Sequence, residues 1–187
     1  SEMCIRDRKW PNGLEIRLLS SLTKVSADDA LRDKSFKRAP CLKDEVFSFQ
    51  LAYRSQSLRK GLQVEVESSL KKHITIREVG LAPCEFPGAH FDDHVLRTTP
   101  GLYPDPLYSL VRGVDAPPNQ WRAAWIQVRV PVRRVHGPQK IVLQVTQGGH
   151  PVARETFVLD VIDQALPKQK LIHTSWFHAD CLATHYG

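Results

Sequence analysis

Trp176, His178 and Asp180 fall at alternate positions near the C-terminus, the spacing at which a β-strand turns side chains to one face. An indole offers a flat apolar face. An imidazole and a carboxylate can hydrogen-bond hydroxyl groups, so the trio could give polar specificity to an otherwise apolar pocket. The structural alternative has Trp176 filling a core and Asp180 capping a following helix. His90 and His94 flank Asp92 and Asp93, but imidazoles four residues apart converge only on a helix, and their surroundings are rich in proline. Calcium through Asp92 and Asp93 is the lesser alternative to a solvated loop, so neither a metal nor a cofactor is assigned. Asp28-Asp29 and Asp44-Glu45 are paired acids, yet consecutive residues on a strand point to opposite faces. Asp44-Glu45 reads instead as a turn that sets strand register, and no catalytic residue is assigned.

The elements that would position such groups are strands. Residues 14–19, 47–53, 62–67, 73–79, 124–132, 141–145 and 156–162 alternate apolar and polar side chains, and Gly148-Gly149 marks a turn between the last two runs. That period means one face in a core and one in water, the pattern of an all-β, antiparallel β-sandwich spanning residues 9–166. Phe47, Phe49, Leu51, Val64, Val66, Ile126, Val128, Val130, Leu143, Val145 and Phe157 should point inward, with Trp125 on the opposite face. Residues 81–118 carry too many prolines for regular sheet or helix over their length. Their aromatics (Phe86, Phe91, Tyr103, Tyr108) favour packing over disorder. After Pro167, residues 170–177 read as a further strand, opening a second domain over residues 167–187.

Composition narrows the function classes. The chain has 187 residues, 42% of them hydrophobic, and no apolar run long enough to span a bilayer. Its formal charge of +6 comes from bases scattered among acids, which argues for a solvated surface and against a nucleic-acid partner. The cysteines form no CxxC pair, so no structural zinc is expected; a Cys41–Cys84 disulfide stays open beside the alternative of free thiols. Residues 1–7, Ser-Glu-Met-Cys-Ile-Arg-Asp, read codon by codon as a sequencing-library transposon adaptor. Residues 1–8 are therefore set aside as non-native and should pack against nothing. The compartment stays unknown, with an extracytoplasmic location left open.

Several segments, in order, resemble the glycoside hydrolases of family 123 and their uncharacterised relatives. Asp44-Glu45-Val46-Phe47-Ser48-Phe49-Gln50 is similar to a family strand, with Asp44 where Asn is usual. Tyr103-Pro104-Asp105-Pro106-Leu107 is similar to a family loop, and Asn119-Gln120 with Trp125 and Pro131 to another strand. Trp176-Phe177-His178-Ala179-Asp180-Cys181-Leu182-Ala183, then Tyr186-Gly187, is similar to the opening of the catalytic domain. Residues 133–138 depart from the family's usual turn. The resemblance implies a β-sandwich followed by a (β/α)8 barrel, here truncated in its first strand, with Trp176, His178 and Asp180 near the barrel mouth. It implies that the intact protein takes a carbohydrate substrate and cleaves β-linked N-acetylgalactosamine or a related amino sugar. The substrate's acetamido oxygen would act as nucleophile and an Asp-Glu pair would orient it and protonate the leaving oxygen. That pair would lie beyond Gly187, leaving this chain non-catalytic. The alternative from another class is a free-standing sandwich that binds carbohydrate or protein.

Overall fold

A computed structural model describes residues 13–85, 97–168, 170–172, 174 and 183–184. Ten strands follow in chain order: β1 (Leu14–Ser20), β2 (Arg38–Lys43), β3 (Val46–Ser55), β4 (Arg59–Glu67), β5 (Ile74–Cys84), β6 (Gly101–Ser109), β7 (Val114–Ala116), β8 (Arg122–Arg129), β9 (Gly137–Gln147) and β10 (His150–Ala165). A 3-10 turn at Lys71–His73 leads into β5. The first sheet runs β1-β3-β8-β5-β6 and the second β2-β10-β9-β4-β7.

Alternation along the strands builds one core between the sheets. Leu62, Val64 and Val66 of β4 are buried while Gln63, Glu65 and Glu67 are exposed, the strict period that the sequence shows. Phe49 of β3 and Phe157 of β10 stack with ring centroids 4.1 Å apart. Phe36 and Phe47 lean on Phe157 at 5.6 and 5.8 Å, so four rings join the sheets at this point. Burying each such side chain stabilises the fold by about 1.5–3 kcal/mol. Of the side chains expected inward, all are buried except Phe47, which is half-buried against the same cluster.

The outer face of the first sheet is also covered. Leu19, Val25, Ala52, Val79, Trp121 and Ala123 form a second buried cluster, with Leu31 and Trp125 against it. Trp125 thus faces away from Ile126 and Val128, as alternation requires. Gln50, almost fully buried, donates through Nε2 to the carbonyls of Ser20 and Thr23, tying the chain that leaves β1 onto this face. Arg17 and Arg54 lie over the Trp121 ring at 5.1 and 5.9 Å.

Three strands depart from the sequence expectation. Strand β2 contains Pro40 and pairs parallel to β10, the one parallel ladder among otherwise antiparallel named strands. It is an edge strand, where a missing N–H is tolerated. Ion pairs of Lys37 with Glu155, Arg38 with Asp160 and Lys43 with Asp163 run along the pairing. Within residues 81–118, expected to be irregular, β5 continues to Cys84 and β6 forms in spite of Pro104 and Pro106. It too is an edge, and its ladder with β5 slips at Gly80. Strand β7 is too short to show a period.

The expected strand over residues 170–177 is the other correction. Residues 170–172 and 174 are in no strand, and Leu171 and Ile172 are 71% and 87% exposed. A strand needs a neighbour to take its backbone hydrogen bonds, and none of the ten strands pairs with residues 170–172 or 174; the other residues of the expected strand lie outside the described ones.

Candidate functional site

The structure does not test the C-terminal trio. Trp176, His178 and Asp180 lie outside the described residues, as do His90, Asp92, Asp93 and His94, and also residues 1–8. Asp44 and Glu45 form the turn between β2 and β3. Asp44 has a left-handed φ of 63°, which suits Asp or Asn, and its N–H donates to the Val130 carbonyl. The Glu45 carboxylate accepts from the Leu42 N–H at 2.7 Å. These acids set register. Asp28 pairs with Arg97, whose guanidinium holds its carboxyl below the usual range. Cys41 and Cys84 are both free thiols. Burial, then the nearby Glu45 and Asp160, pushes the Cys41 thiol up to about 11, so it is unreactive at neutral pH.

Another group of residues, part of no sequence motif, is brought together by the ladders. Tyr53 of β3 stands opposite Arg122 of β8 in the ladder. Glu78 of β5 stands opposite Ala124, two residues along β8 and therefore on the same face as Arg122. Tyr53 is 1% exposed and belongs to the main core, which places its side chain between the sheets. Its hydroxyl and the Nε of Arg122 are buried without a hydrogen-bond partner among the described residues. Elsewhere on that guanidinium, Nη2 donates to Gln120 Oε1 at 3.1 Å.

Electrostatics set these groups apart. Burial raises the Tyr53 phenol far above its ordinary value; Glu78 and Asp115 add to the rise and Arg122 opposes it. Burial also raises the Glu78 carboxyl, with Asp115 in the same sense and Arg122 against. Asp115 itself is exposed and accepts from the Gly61 N–H at 2.8 Å, so it acts as a turn clamp. At the rim, Tyr108 of β6 is the ladder partner of Glu78 and is 56% exposed. Its ring rests on Gly80: a Cβ there would meet ring carbons at 2.3 and 2.8 Å. The cluster thus offers two unused donors, a half-buried carboxyl and an exposed aromatic ring.

The signal for it was in the sequence. Glu78 continues the phase of Ile74 and Ile76, Arg122 that of Ala124 and Ile126, and Tyr53 that of Phe49 and Leu51. Each is a polar group at the end of an apolar row, and buried polar positions are the informative ones.

Stability should report on Glu78. Its folded-state affinity for a proton exceeds that of the unfolded chain, whose ordinary value is 4.5. The favourable contribution of the protonated form is therefore full below about pH 4.5 and is lost as pH rises through the folded value. Glu78→Gln should melt above the wild type at pH 7, and the gap should close on acidification below about pH 4.5. A Tm difference independent of pH, or of opposite sign, would refute this.

The fold defines an all-β protein of two stacked sheets, with a buried polar cluster at one end of the sandwich core. It is similar to a solved family 123 glycoside hydrolase from Clostridium perfringens, a structure described in terms of glycolipid glycan hydrolysis. The TM-score is 0.65 at 11% identity, over 82% of this chain and 28% of that one. At that identity the likeness is one of fold alone, and the chain spans little more than a quarter of the enzyme's length. No family model matches the sequence, and no curated protein matches it. No helix among the described residues is long and apolar enough to cross a membrane, which leaves β-barrels unaddressed. No group of three metal-binding side chains occurs among the described residues.

Proposed function

We propose that this chain is the non-catalytic sandwich portion of a longer glycoside hydrolase related to family 123. The observation that carries the reading is the fold shared over 82% of the chain with 28% of such an enzyme. The family-like motifs around Asp44, Pro104, Asn119 and Trp176, which follow one another in the same sequence order as in the family, support it from the sequence side. In the longer protein, residues 167–187 would open a (β/α)8 barrel, with Trp176, His178 and Asp180 toward its substrate end. The substrate would be a glycan ending in β-linked N-acetylgalactosamine or a related amino sugar, cleaved with help from its own acetamido group. The Asp-Glu pair for that chemistry would come from the barrel. Lys37, Arg38, Lys43, Arg97 and Arg154 sit in ion pairs, and no nucleic-acid partner is proposed because the bases are scattered among acids along the chain.

The test is enzymatic. The purified 187-residue chain should release no nitrophenol from 4-nitrophenyl N-acetyl-β-galactosaminide. A clone whose reading frame continues past Gly187 into a barrel should release it, and Asp180→Ala in that longer protein should lower turnover without unfolding it. Turnover by the 187-residue chain that survives further purification would overturn the assignment. So would a native stop codon directly after Gly187.

A further inference from the structure

Six bases that are scattered along the sequence stand together at one end of the sandwich. Lys71 and Lys72 lie in the 3-10 turn before β5. Arg129 ends β8, Arg133 and Arg134 follow in the loop to β9, and Lys140 lies near the start of β9. Ile74 pairs with Val128, so the turn before β5 and the end of β8 are neighbours. Ser68 Oγ donates to the Lys140 carbonyl at 2.8 Å, and Ser69 Oγ to Gln139 Oε1 at 2.9 Å, which ties the same turn to β9. Residues 68–73 and 129–140 contain no Asp or Glu. All six bases are exposed, and none is in an ion pair among the described residues, unlike Lys37, Arg38, Lys43, Arg97 and Arg154. Acids near this end are mostly engaged: Glu67 pairs with Arg154, Asp163 with Lys43, and Glu45 takes the Leu42 N–H. Exposed Asp44, in the adjoining turn, is the remaining counter-charge. The loop itself is unusual. Arg134 has a left-handed φ of 63°, a conformation that strains an arginine and that glycine or asparagine ordinarily fills. It also lies within residues 133–138, where the chain departs from the family's usual turn. Solubility calls for charge but not for a strained arginine, and retained strain points to a function.

We propose that this end of the sandwich is a docking surface for an anionic polysaccharide, one that carries carboxylate or sulfate groups along its chain. Arg129 belongs to the first sheet and Lys140 to the second, and stacked sheets lie ~10 Å apart. One small anion cannot meet bases on both, whereas a linear polyanion can. Guanidinium groups suit such partners because their paired N–H groups match carboxylate geometry. Residues 68–73 and 129–140 hold no Trp, Tyr or Phe on which a nucleobase could stack, which disfavours single-stranded nucleic acid. That the polyanion is a glycan rests on the hydrolase reading; the basic surface itself does not. Exposed charge pairs are individually weak, so the Kd would be on the order of 10 μM–1 mM at low salt.

Fluorescence anisotropy of labelled oligomers mixed with the 187-residue chain tests it. A chondroitin sulfate oligosaccharide, which carries carboxylates and sulfates, should bind saturably at about 20 mM salt and be released at about 0.5 M, where charges are screened. A neutral dextran of equal length should not bind, and duplex DNA with the same number of charges should bind more weakly. Lys72→Glu combined with Arg133→Glu should weaken chondroitin sulfate binding about tenfold or more. Lys60 opens β4 at its opposite end and Arg112 precedes β7, and both are exposed. Reversing those two charges alters the net charge equally and should change binding by less than about twofold. Arg134→Gly should weaken binding about threefold or more while melting no lower than the wild type, since glycine takes that φ without strain. An arginine kept for the fold alone would instead lower the Tm when replaced and leave binding unchanged. No saturable binding of chondroitin sulfate, equal weakening by the two double variants, binding that survives Arg134→Gly, or tighter binding of the DNA would overturn the proposal. Hydrolysis is read only in the longer protein, so failure of this surface and failure of the hydrolase reading are distinguishable.

Discussion

Replacing Phe157 by alanine should lower stability by about 3–5 kcal/mol, the range for emptying a fully buried aromatic site. Phe157 is 0% exposed, stacks on Phe49 and receives Phe36 and Phe47, so it joins the two sheets at the point where their rings interlock. The lost contacts fall on both sheets at once, and neither can close the void alone without slipping its ladder. Domains of this size have about 5–15 kcal/mol in total, so the variant keeps a thin margin or unfolds near body temperature. Urea denaturation should show a large fall in midpoint with the slope unchanged, since the surface exposed on unfolding hardly differs. Val111, 84% exposed, is the matched control: Val111→Ala should move stability by no more than about 0.5 kcal/mol. A Phe157→Ala loss below about 1 kcal/mol would mean that the ring cluster is not the junction between the sheets.

Strands with a clean period were legible; strands held by their surroundings were not. The row Leu62, Val64, Val66 announces itself because each intervening residue is polar. In contrast β2 buries only Ala39 and Cys41, and its place is set by a parallel ladder with β10, more than a hundred positions away in the chain. Strand β6 contains two prolines, which argue against a central strand and say nothing against an edge. The segments that carried the family resemblance prove to be fold positions among the described residues. Asp44 occupies a left-handed turn, Phe49 and Gln50 hold the two faces of β3, and Asn119 takes a φ of 57° before β8. They are therefore informative about architecture and silent about catalysis. The polar cluster at Tyr53 was harder to see for a different reason. Tyr53, Glu78, Tyr108 and Arg122 come from four strands and lie 14 to 69 residues apart in the chain, so only the ladders bring them together.

Gly113→Ala should detach β7 from the second sheet. Gly113 has a φ of +83°, where an L side chain is strained by about 1–3 kcal/mol. An added Cβ would also lie 2.5 Å from the Leu62 carbonyl oxygen and 2.5 Å from Gln63 Nε2. The amide of Gln63 can swing aside, but the Leu62 carbonyl belongs to β4, whose residue Leu62 pairs with Val114. Relief therefore requires the chain to move away from β4, taking Val114 and Ala116 out of the core that buries them. Gly61 provides the comparison: its φ of +64° imposes similar strain, yet nothing lies within 4 Å of its missing Cβ. Gly61→Ala should cost only the backbone term, about 1–2 kcal/mol. Gly113→Ala should cost clearly more, and hydrogen exchange at residues 114–116 should quicken well before the rest of the sandwich opens. Equal losses for the two variants would show that the clash with Leu62 is relieved without moving β7, and that this edge of the sheet is softer than its packing implies.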